Sequence, residues 1–419
     1  MTVVTDAPPP PLETPDEQKR RRHRIYLYVL AGFALLSLVR LISGAEELTS
    51  SGTLTVTLTS AMPIALAGLG GLWSERAGIV NIGLEGMLIL GTLGAGFFTY
   101  HYGVIVGVVG AIVFGMVGGA LHGLATVVFG VDHIVSGVAI NIIAAGITGF
   151  LAEAFFSGLA GGGPTQSPSL KTPPTIDIPF IADPMNSLEG KHWFLISDLA
   201  SVVEMLTKNL SVLTLFGLVL IFGSAWVLWH TRFGLRLRSC GEAPAAAESL
   251  GVNVYRYKFI AVLISGGLAG LGGAYLALVS SSGFQVGQTG GRGYYGVAAM
   301  IFGNWRPTGL FMGSTLFGYT QALPFRQGTV SVHALLMVVT VILVVVALVQ
   351  LRRGSRRAGI GSLVFACAFL AWYLLTDVVP SDFTTMAPYI TILLVLAFAS
   401  QRLRMPAADG QVYRKGSAG

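Results

Sequence analysis

The sequence has little charge for its length. Of its 419 residues, 11% are Asp, Glu, Lys or Arg, whereas an ordinary soluble domain carries about 25%. Hydrophobic residues make up 53%, and the mean hydropathy is +0.71. These values exclude a soluble enzyme and a nucleic-acid-binding protein, so the net charge of +6 reports membrane topology and not a polyanionic partner. We predict an integral membrane protein.

The sequence also lacks the motifs of common catalytic and metal sites. Its two cysteines, Cys240 and Cys367, lie in separate segments without metal-ligand spacing, which predicts neither a disulfide framework nor a zinc site. No GxxxxGK[ST], HExxH or CxxC pattern occurs, and no GxSxG lies in a strand-turn-helix setting. We therefore expect a chain that is not an enzyme, has no nucleotide site of its own and binds no cofactor or metal.

Long apolar runs are abundant. A helix needs roughly 17 to 25 residues to cross the hydrocarbon core, and the runs of this length predict an all-α polytopic membrane helix bundle with about 10–12 transmembrane segments. The full spans are predicted at 25–42, 54–73, 77–98, 104–129, 134–156, 210–229, 258–280, 333–350, 360–376 and 386–401. Residues 293–323 predict a broken or re-entrant pair, because WRPTG interrupts the run. Such breaks are tolerated where helices line a cavity.

The basic residues sort to one side of these spans. With the N-terminus inside, most Lys and Arg fall on the cytoplasmic side, as the positive-inside rule expects, and both termini are cytoplasmic. We predict a disordered tail at 1–24, a transmembrane domain at 25–402 and a second cytoplasmic tail at 403–419. Within the domain, 231–257 is a cytoplasmic loop. Residues 157–209 form an extracellular loop, either a docking surface for an extracellular partner or a plain connection.

Glycine is abundant, with 55 residues. Gly115, Gly119 and Gly123 are spaced by four, as are Gly266 and Gly270. Small residues at this spacing let membrane helices approach closely. We predict tight helix packing at these positions and no chemistry.

The cytoplasmic loop contains a short helix signal in EAPAAAESLG, residues 242–251. Glu242 and Pro244 suit a first turn, and Gly251 suits the position after the C-terminus. An isolated helix this short is unstable in water, so we expect it to pack against a partner subunit.

Four stretches carry a resemblance to a known family: SERAGIVNIGLEGM, VDHIVSGVAINIIAAGITGFL, the loop helix and GRGYYGVAAMIFGNWRPTG. Over roughly residues 54–324 they resemble the sugar and nucleoside branch of bacterial ABC-importer permeases, which also includes branched-chain amino acid and ribose permeases. The first stretch resembles the nucleoside permeases in particular. The first span and the region after about 351 match less clearly.

The resemblance implies a set of partners. These are a second related permease in a heterodimer, two cytoplasmic ATPase subunits or a fused ATPase that hold ATP and magnesium, and an extracellular solute-binding lipoprotein. It also implies a multi-pass protein of the bacterial cell (inner) membrane, in contact with lipid and with no nucleic-acid partner.

The resemblance gives the loop helix a role as a coupling helix that sits in a groove of the ATPase. The coupling candidates are Glu242, Ala246, Ala247, Glu248 and Gly251. Small alanine faces would let the helix seat closely, and the flanking arginines could pair with acidic groups or lipid headgroups. The alternative is an ordinary loop between helices with a positive-inside bias.

Polar residues within the predicted spans are candidates for the solute path, because burying them in a membrane is costly. The solute-path candidates are Asn81, Glu85, Ser136, Asn141, Tyr294 and Phe302. Asn81 and Glu85 are four apart and are expected on one face of one helix. The asparagines either contact solute or bond neighbouring helices, Glu85 favours a structural role, and His122 is expected to be a packing residue. Tyr294 and Phe302 either stack on a nucleobase or lie at a membrane interface.

The charged pair Glu75 and Arg76 lies between two predicted spans. We expect it in a cytoplasmic turn, where exposed charge costs little. Arg76 then fits the cytoplasmic excess of basic residues.

Together these features predict a permease subunit of an ATP-driven importer that forms half of the translocation pathway for a nucleoside-like or simple-sugar solute. The alternative is an ion-gradient-driven secondary transporter or channel. That alternative requires clusters of intramembrane acids, and such acids are few here. A membrane scaffold without transport is disfavoured by the broken helices.

Overall fold

A computed structural model describes residues 15–399 and 403–416. The regular structure in this part of the chain is almost entirely helical, which confirms the predicted all-α class. The helices are α1 (Pro15–Ser43), α2 (Ser51–Arg76), α3 (Leu84–Tyr102), α4 (Val104–Gly123), α5 (His133–Phe156), α6 (Pro179–Glu189), α7 (Ile196–Thr207), α8 (Val212–His230), α9 (Arg232–Glu242), α10 (Pro244–Ser249), α11 (Val254–Tyr275), α12 (Arg292–Phe302), α13 (Pro307–Ala322), α14 (Gly328–Arg352), α15 (Arg356–Leu375) and α16 (Ser381–Ala399). Strands β1 (Thr175–Ile176) and β2 (Leu210–Ser211) form one antiparallel pair.

Seven helical segments among the described residues are long and apolar enough to cross a membrane. They are Glu46–Arg76, Val104–Val128, His133–Phe156, Val212–His230, Val254–Ser280, Gly328–Arg352 and Arg356–Leu375. The π-helical turns Leu124–Val128 and Leu276–Ser280 extend α4 and α11. The predicted interruption is present, since α12 ends at Phe302 and α13 begins at Pro307. The total of 10–12 segments also counts α1, α3, α16 and this broken pair, and it stays a prediction.

Helices α2 and α11 form the centre of the bundle. In their most apolar windows 72% and 83% of the residues are buried, compared with 28% for α14 and 11% for α15. Helix α11 packs against α2, α3 and α4, and α2 also packs against α12 and α13. Helices α14 and α15 pack mainly on each other. The candidate site residues therefore lie around a central pair, with α14 and α15 at the periphery.

The glycine steps lie where α4 crosses α11, which confirms the predicted tight packing. A Cβ atom added at Gly115 would lie 2.2 Å from the Gly266 carbonyl oxygen, and one added at Gly270 would lie 2.2 Å from the Ala111 carbonyl oxygen. Real Cβ atoms do not approach backbone so closely, so only glycine fits at this crossing. The two helices are held by backbone-to-backbone contact.

Helix α3 begins later than predicted, and the expectation that Asn81 and Glu85 share a helical face is wrong. The predicted span starts at residue 77, but α3 starts at Leu84, and Asn81 lies in the non-helical connection before it. Gly78 adopts a φ of +83°, and Gly83 is the N-cap of α3. Two glycines in so short a segment lower its helix propensity.

Residues 157–209 were predicted to be an extracellular loop, and we call them the outer loop. They are more ordered than their composition suggests. Residues 167–174 are irregular, but α6 and α7 occupy much of the remainder.

Near the N-terminus, α1 begins at Pro15, so residues 15–24 of the predicted disordered tail are helical. Residues 1–14 of that tail lie outside the described residues.

The outer loop is fastened to α1 through a buried carboxylate. Asp198 of α7 is 0% exposed and accepts hydrogen bonds from the hydroxyls of Ser37 and Thr49. The Arg40 Nε atom lies 3.3 Å from Asp198 Oδ1. We call these four residues the outer clamp. A buried charge is tolerated when it is paired and hydrogen-bonded, as Asp198 is.

Candidate functional site

Glu85 lies in the first turn of α3 and holds the N-terminus of α12. Its Oε1 atom accepts a hydrogen bond from the Gly291 N–H at 3.0 Å, and its Oε2 atom accepts one from the Gly293 N–H at 2.6 Å. The first N–H groups of a helix have no partner within it, and a carboxylate there also interacts favourably with the helix dipole. Both oxygens of Glu85 are occupied by this chain, which favours the structural role.

Asn141 on α5 joins α3 to α12. Its Oδ1 atom accepts from the Gly86 N–H at 2.7 Å, and its Nδ2 atom donates to the Ile82 carbonyl and to the Tyr294 hydroxyl, both at 3.0 Å. Three predicted residues, Glu85, Asn141 and Tyr294, thus meet in one group, which we call the polar cluster. Tyr294 is 49% exposed, so its ring retains free surface while its hydroxyl is held.

Asn141 places the polar cluster about a third of the way along α5, a helix long and apolar enough to cross a membrane. Asn141 is eight residues after His133, the first residue of α5, which is about 12 Å along the helix. The hydrocarbon core is about 30 Å thick, so this position of a spanning helix falls within it. The segment before α12, residues 284–291, is not helical and is bound to the outer loop through the Val286 N–H and the Thr165 carbonyl at 2.8 Å. Irregular backbone at this depth is typical of membrane helices that line a cavity.

The remaining polar candidates bond neighbouring segments of this chain. His122 Nε2 lies 3.0 Å from the Val80 carbonyl and therefore donates, so Nδ1 accepts from the Ser136 hydroxyl at 2.9 Å. His122 is a satisfied packing residue, as predicted. The Asn81 Nδ2 atom donates to Ser265 Oγ on α11 at 2.9 Å. Asn81 and Ser136 both make contacts within this chain, and their place in a solute path stays a prediction.

The two ends of α12 differ in their relation to the polar cluster. Phe302, its last residue, is eight positions from Tyr294, about 12 Å along the helix, and the structure does not bring the two together. Arg292, its first residue, was not singled out as a site candidate. Its Nη1 atom donates to the carbonyls of Gln288 and Thr289 at 3.2 and 3.1 Å and so fixes the segment before α12. The sequence signal that could have identified Arg292 is a single arginine at the start of a predicted broken helix.

The expectation of exposed charge at Glu75 and Arg76 is wrong. Glu75 is 4% exposed, and its Oε2 atom accepts from the Trp305 indole N–H at 2.5 Å. Arg76 donates through Nε and Nη2 to the Trp305 carbonyl at 3.0 and 2.8 Å. The turn between α12 and α13 folds back over the end of α2 and covers it. This contact joins residues far apart in the sequence, which is why local pattern did not show it.

The loop at 231–257, predicted to be cytoplasmic and to contain one helix, contains two helices. Helix α10 spans Pro244–Ser249, and Gly251 follows it with a φ of +82°, so the predicted helix and its glycine stop are present. Glu242 belongs to the end of α9 and not to the first turn of α10. Its carboxylate lies 3.7 Å from Arg76 Nη1.

Helix α10 has an inner and an outer face. Ala247 is 3% exposed and packs against Cys240 and Val254 of this chain. Ala246 is exposed, and Leu250, directly after the helix, is 85% exposed. Of the coupling candidates, Ala247 therefore faces this chain and Ala246 faces outward, and Leu250 is an outward apolar residue that the sequence analysis did not select.

The profile of the family described as branched-chain amino acid transport system / permease component matches residues 53–348. The chain belongs to this family. The polar cluster, α9 and α10 all lie within the matched region, whereas α1, α15, α16 and residues 403–416 lie outside it. The matched region is therefore the part that carries every predicted site residue of this permease.

Individual relatives agree with the family. The permease is 34% identical over 361 residues to the nucleoside ABC transporter permease protein NupC of Lactococcus lactis, covering 84% of this chain and 93% of the relative. It is 32% identical over 369 residues to the guanosine ABC transporter permease protein NupQ of Bacillus subtilis, covering 86% and 95%. It is also 31% identical over 288 residues to the putative glucose ABC transporter permease protein TsgC13 of Haloferax volcanii, covering 67% and 79%.

No solved structure matches this chain. The family match and the apolar helices establish a multi-pass membrane protein. This permease is a subunit of an ABC importer, and its role is transport and not catalysis.

Proposed function

We propose that this permease forms half of a pathway for a nucleoside-like solute, with a simple sugar as the second candidate. The observation that carries the proposal is Tyr294, a half-exposed aromatic ring whose hydroxyl is held by Asn141 of α5, a helix long and apolar enough to cross a membrane. NupC and NupQ, similar to this chain over most of its length, are named for nucleosides and guanosine, and TsgC13 for glucose. A fixed aromatic ring suits stacking on a flat base.

We further propose that ATP and magnesium are held by partner ATPases, either two subunits or one fused chain. The outward face of α10, with Ala246 and Leu250, offers small and apolar contacts on the cytoplasmic side. A short helix presented at a surface fits a groove on a partner, since an apolar anchor seated in a pocket supplies much of the binding energy. The extracellular partner would be a solute-binding lipoprotein.

A second, related permease is the proposed membrane partner. Helix α5 contacts mainly α3, and one side of it exposes large apolar residues. These are Ile134, Val135, Val138, Ile142, Ile143, Ile147 and Phe150. Half of a pathway needs a counterpart to close it, and α5 also carries Asn141 of the polar cluster. The protein would lie in a bacterial inner membrane with both termini in the cytoplasm, consistent with the basic residues that flank its spans.

An ion-gradient mechanism is the rival. It requires acidic groups at membrane depth that take up and release cations or protons. Glu85 is the carboxylate of the polar cluster, and both of its oxygens accept hydrogen bonds from backbone N–H groups. Both oxygens are thus already occupied by this chain, which disfavours a proton-relay role.

The transport proposal is tested with the full complex in proteoliposomes, using labelled guanosine and labelled glucose. We expect guanosine uptake that requires ATP, and little glucose uptake. The Leu250→Asp chain should lose ATP-dependent uptake because a charge replaces the apolar anchor, whereas Leu250→Met should retain it. Proton-driven uptake by this chain alone, without ATP or partners, would overturn the proposal.

Tyr294 supplies the sharper test of solute class. Tyr294→Phe keeps the ring and removes the bond to Asn141, so we expect a rise in KM for guanosine of a few-fold, about 1 kcal/mol. Tyr294→Ala removes the stacking surface and should raise KM by about tenfold or more. Equal KM values for guanosine in the wild-type and Tyr294→Ala complexes would exclude the ring as a solute contact.

A further inference from the structure

Residues 403–416 lie against the cytoplasmic face of the protein, and we call them the C-terminal strap. The strap has turns but no helix or strand, so contacts with other elements must order it. Pro406, Ala408 and Asp409 within it are buried. It lies outside the matched region of the family. A plain cytoplasmic tail would not be expected to bury its own residues in this way.

One end of the strap binds the turn between α12 and α13. The Arg404 N–H donates to Asn304 Oδ1 at 2.7 Å. Asn304 precedes Trp305, the residue that holds both Glu75 and Arg76 at the end of α2. The strap is therefore attached to the same turn that fastens α12 to α2.

The middle of the strap binds the end of α9. The Ala408 N–H donates to the Gly241 carbonyl at 2.8 Å, and the Ala407 N–H donates to Glu242 Oε2 at 3.2 Å. Gly241 itself packs against the connection after α2, because a Cβ added there would lie 2.4 Å from the Arg76 carbonyl oxygen. The strap thus lies where α2 and α9 meet.

The far end of the strap holds α10. The Tyr413 hydroxyl donates to Glu248 Oε2, and the Tyr413 ring lies 5.3 Å from the Tyr255 ring. Tyr413 also packs against the cluster formed by Cys240, Ala247 and Val254. Helix α10 has six residues and buries one side chain, Ala247, which is too little to hold it alone. The strap of the same chain therefore adds to the contacts with α9 and α11 that order α10.

We propose that the C-terminal strap fixes the position of α10 relative to the α12–α13 turn, so that its loss weakens ATPase binding and uncouples ATP hydrolysis from solute movement. The inference rests on the proposed function, in which α10 docks the ATPase. A docking helix that is already ordered avoids an ordering cost when the partner binds. Tyr294 is at the end of α12 opposite the α12–α13 turn. The strap therefore connects α10, the proposed docking surface, to the helix that carries the candidate solute contact.

The test compares variants in the full complex. Removal of residues 403–419 should weaken binding of the purified cognate ATPase by about tenfold or more. At saturating ATPase, it should also lower the amount of guanosine moved per ATP hydrolysed. Tyr413→Ala should show both effects more weakly, and Tyr413→Phe, which keeps the ring, should lie between Tyr413→Ala and wild type. Adding a peptide of residues 403–419 to the truncated complex should restore both readouts, which a general loss of stability would not allow.

Gln411→Ala is the matched control within the strap, because its side-chain amide bonds the strap's own Ala407 carbonyl and it should behave as wild type. If the folded truncated chain keeps wild-type ATPase affinity and guanosine per ATP, the inference is wrong and the proposed function stands. If truncation prevents folding, the same result for Tyr413→Ala refutes it. A full-length permease that binds no ATPase would overturn both.

Discussion

At each end of the bundle a segment from outside the matched family region is attached to the family core, and each attachment contains a buried carboxylate. At the outer end, the acid belongs to the core: Asp198 receives two hydroxyl donors and Arg40 from the N-terminal extension. At the inner end, the acid belongs to the extension: Asp409 of the strap is 8% exposed and lies beside the core's Glu75. Asp198 accepts two hydroxyl hydrogen bonds and is paired with a cation, whereas Asp409 lies beside a second acid and has cations nearby but, in the part of the chain that the structure describes, no hydrogen-bond donor in good geometry.

From this difference we expect the outer clamp to be the stronger attachment and the strap to be the one that responds to pH. Neither oxygen of Asp409 has a hydrogen-bond donor in good geometry among the described residues. Burial raises the pKa of Asp409 to about 7, against the opposing influence of Glu75, of Lys258 on α11, of the Gly410 N–H and of Arg76. A docked strap therefore favours protonated Asp409. We therefore expect that breaking the outer clamp lowers the free energy of unfolding more than releasing the strap does, and that docking of the strap depends on pH.

Breaking the outer clamp should have the largest effect. Asp198→Ala leaves Arg40 buried without its carboxylate, so we expect a loss of about 3–5 kcal/mol in the free energy of unfolding. The measurement is unfolding of the purified chain in lipid nanodiscs. Asp183→Ala, which removes an exposed acid on α6, is the matched control and should change little. Similar values for the two variants would show that Asp198 is not the fastening that its contacts suggest.

The inner strap should loosen as the pH rises. The docked pKa of Asp409 is about 7 and its ordinary value is 3.8, so docking is most favourable below pH 4 and weakens as the pH rises through 7. The expected change is about 2–4 kcal/mol. The measurement is hydrogen exchange of the strap backbone in the full chain from pH 5 to 8, normalised to the free 403–419 peptide.

Asp409→Asn tests the cause of that change. An amide has no charge to bury, so this variant should show a weaker pH dependence and, at pH 8, stronger protection than the wild-type strap; the neighbouring Glu75 carboxyl remains titratable in both chains. The difference between the two chains should be smaller at pH 5 than at pH 8 and should vanish only below pH 4, where free Asp409 is protonated as well. The same pH profile in wild type and variant would assign the effect to another group.

The sequence was most informative where structure is local. Helix α5 was predicted to within one residue from its apolar run, and the structure shows that Asp132 caps it through the Ile134 and Val135 N–H groups. The glycine crossing was equally readable, since a GxxxG step needs no knowledge of its partner. Helix α10 also follows from local rules for prolines and glycines.

Contacts between distant segments were not readable in this way. Glu75 is buried because Trp305 covers it, and α10 is held by Tyr413, and neither pairing leaves a periodic signal. Glu85, Asn141 and Tyr294 were chosen separately as costly or aromatic residues. That they form one cluster required the fold. Asn81 was predicted to be helical because a hydropathy average does not detect Gly78 and Gly83, which lie in the non-helical connection before α3.

The smallest expected effect comes from an ion pair that joins neither end to an extension. Lys208 Nζ lies 2.7 Å from Glu204 Oε1 on α7, and Lys208 is 42% exposed. Lys208→Met should lower the free energy of unfolding by less than about 1 kcal/mol, because solvent screens the ion pair. In addition, burial raises the pKa of Glu204, so that carboxyl can take up a proton when Lys208 is lost. Measured beside Asp198→Ala in the same nanodiscs, this variant separates charge in general from the outer clamp in particular. A loss as large as that of Asp198→Ala would mean that the outer end is held by many ion pairs, and the contrast between a strong outer clamp and a pH-dependent strap would fail.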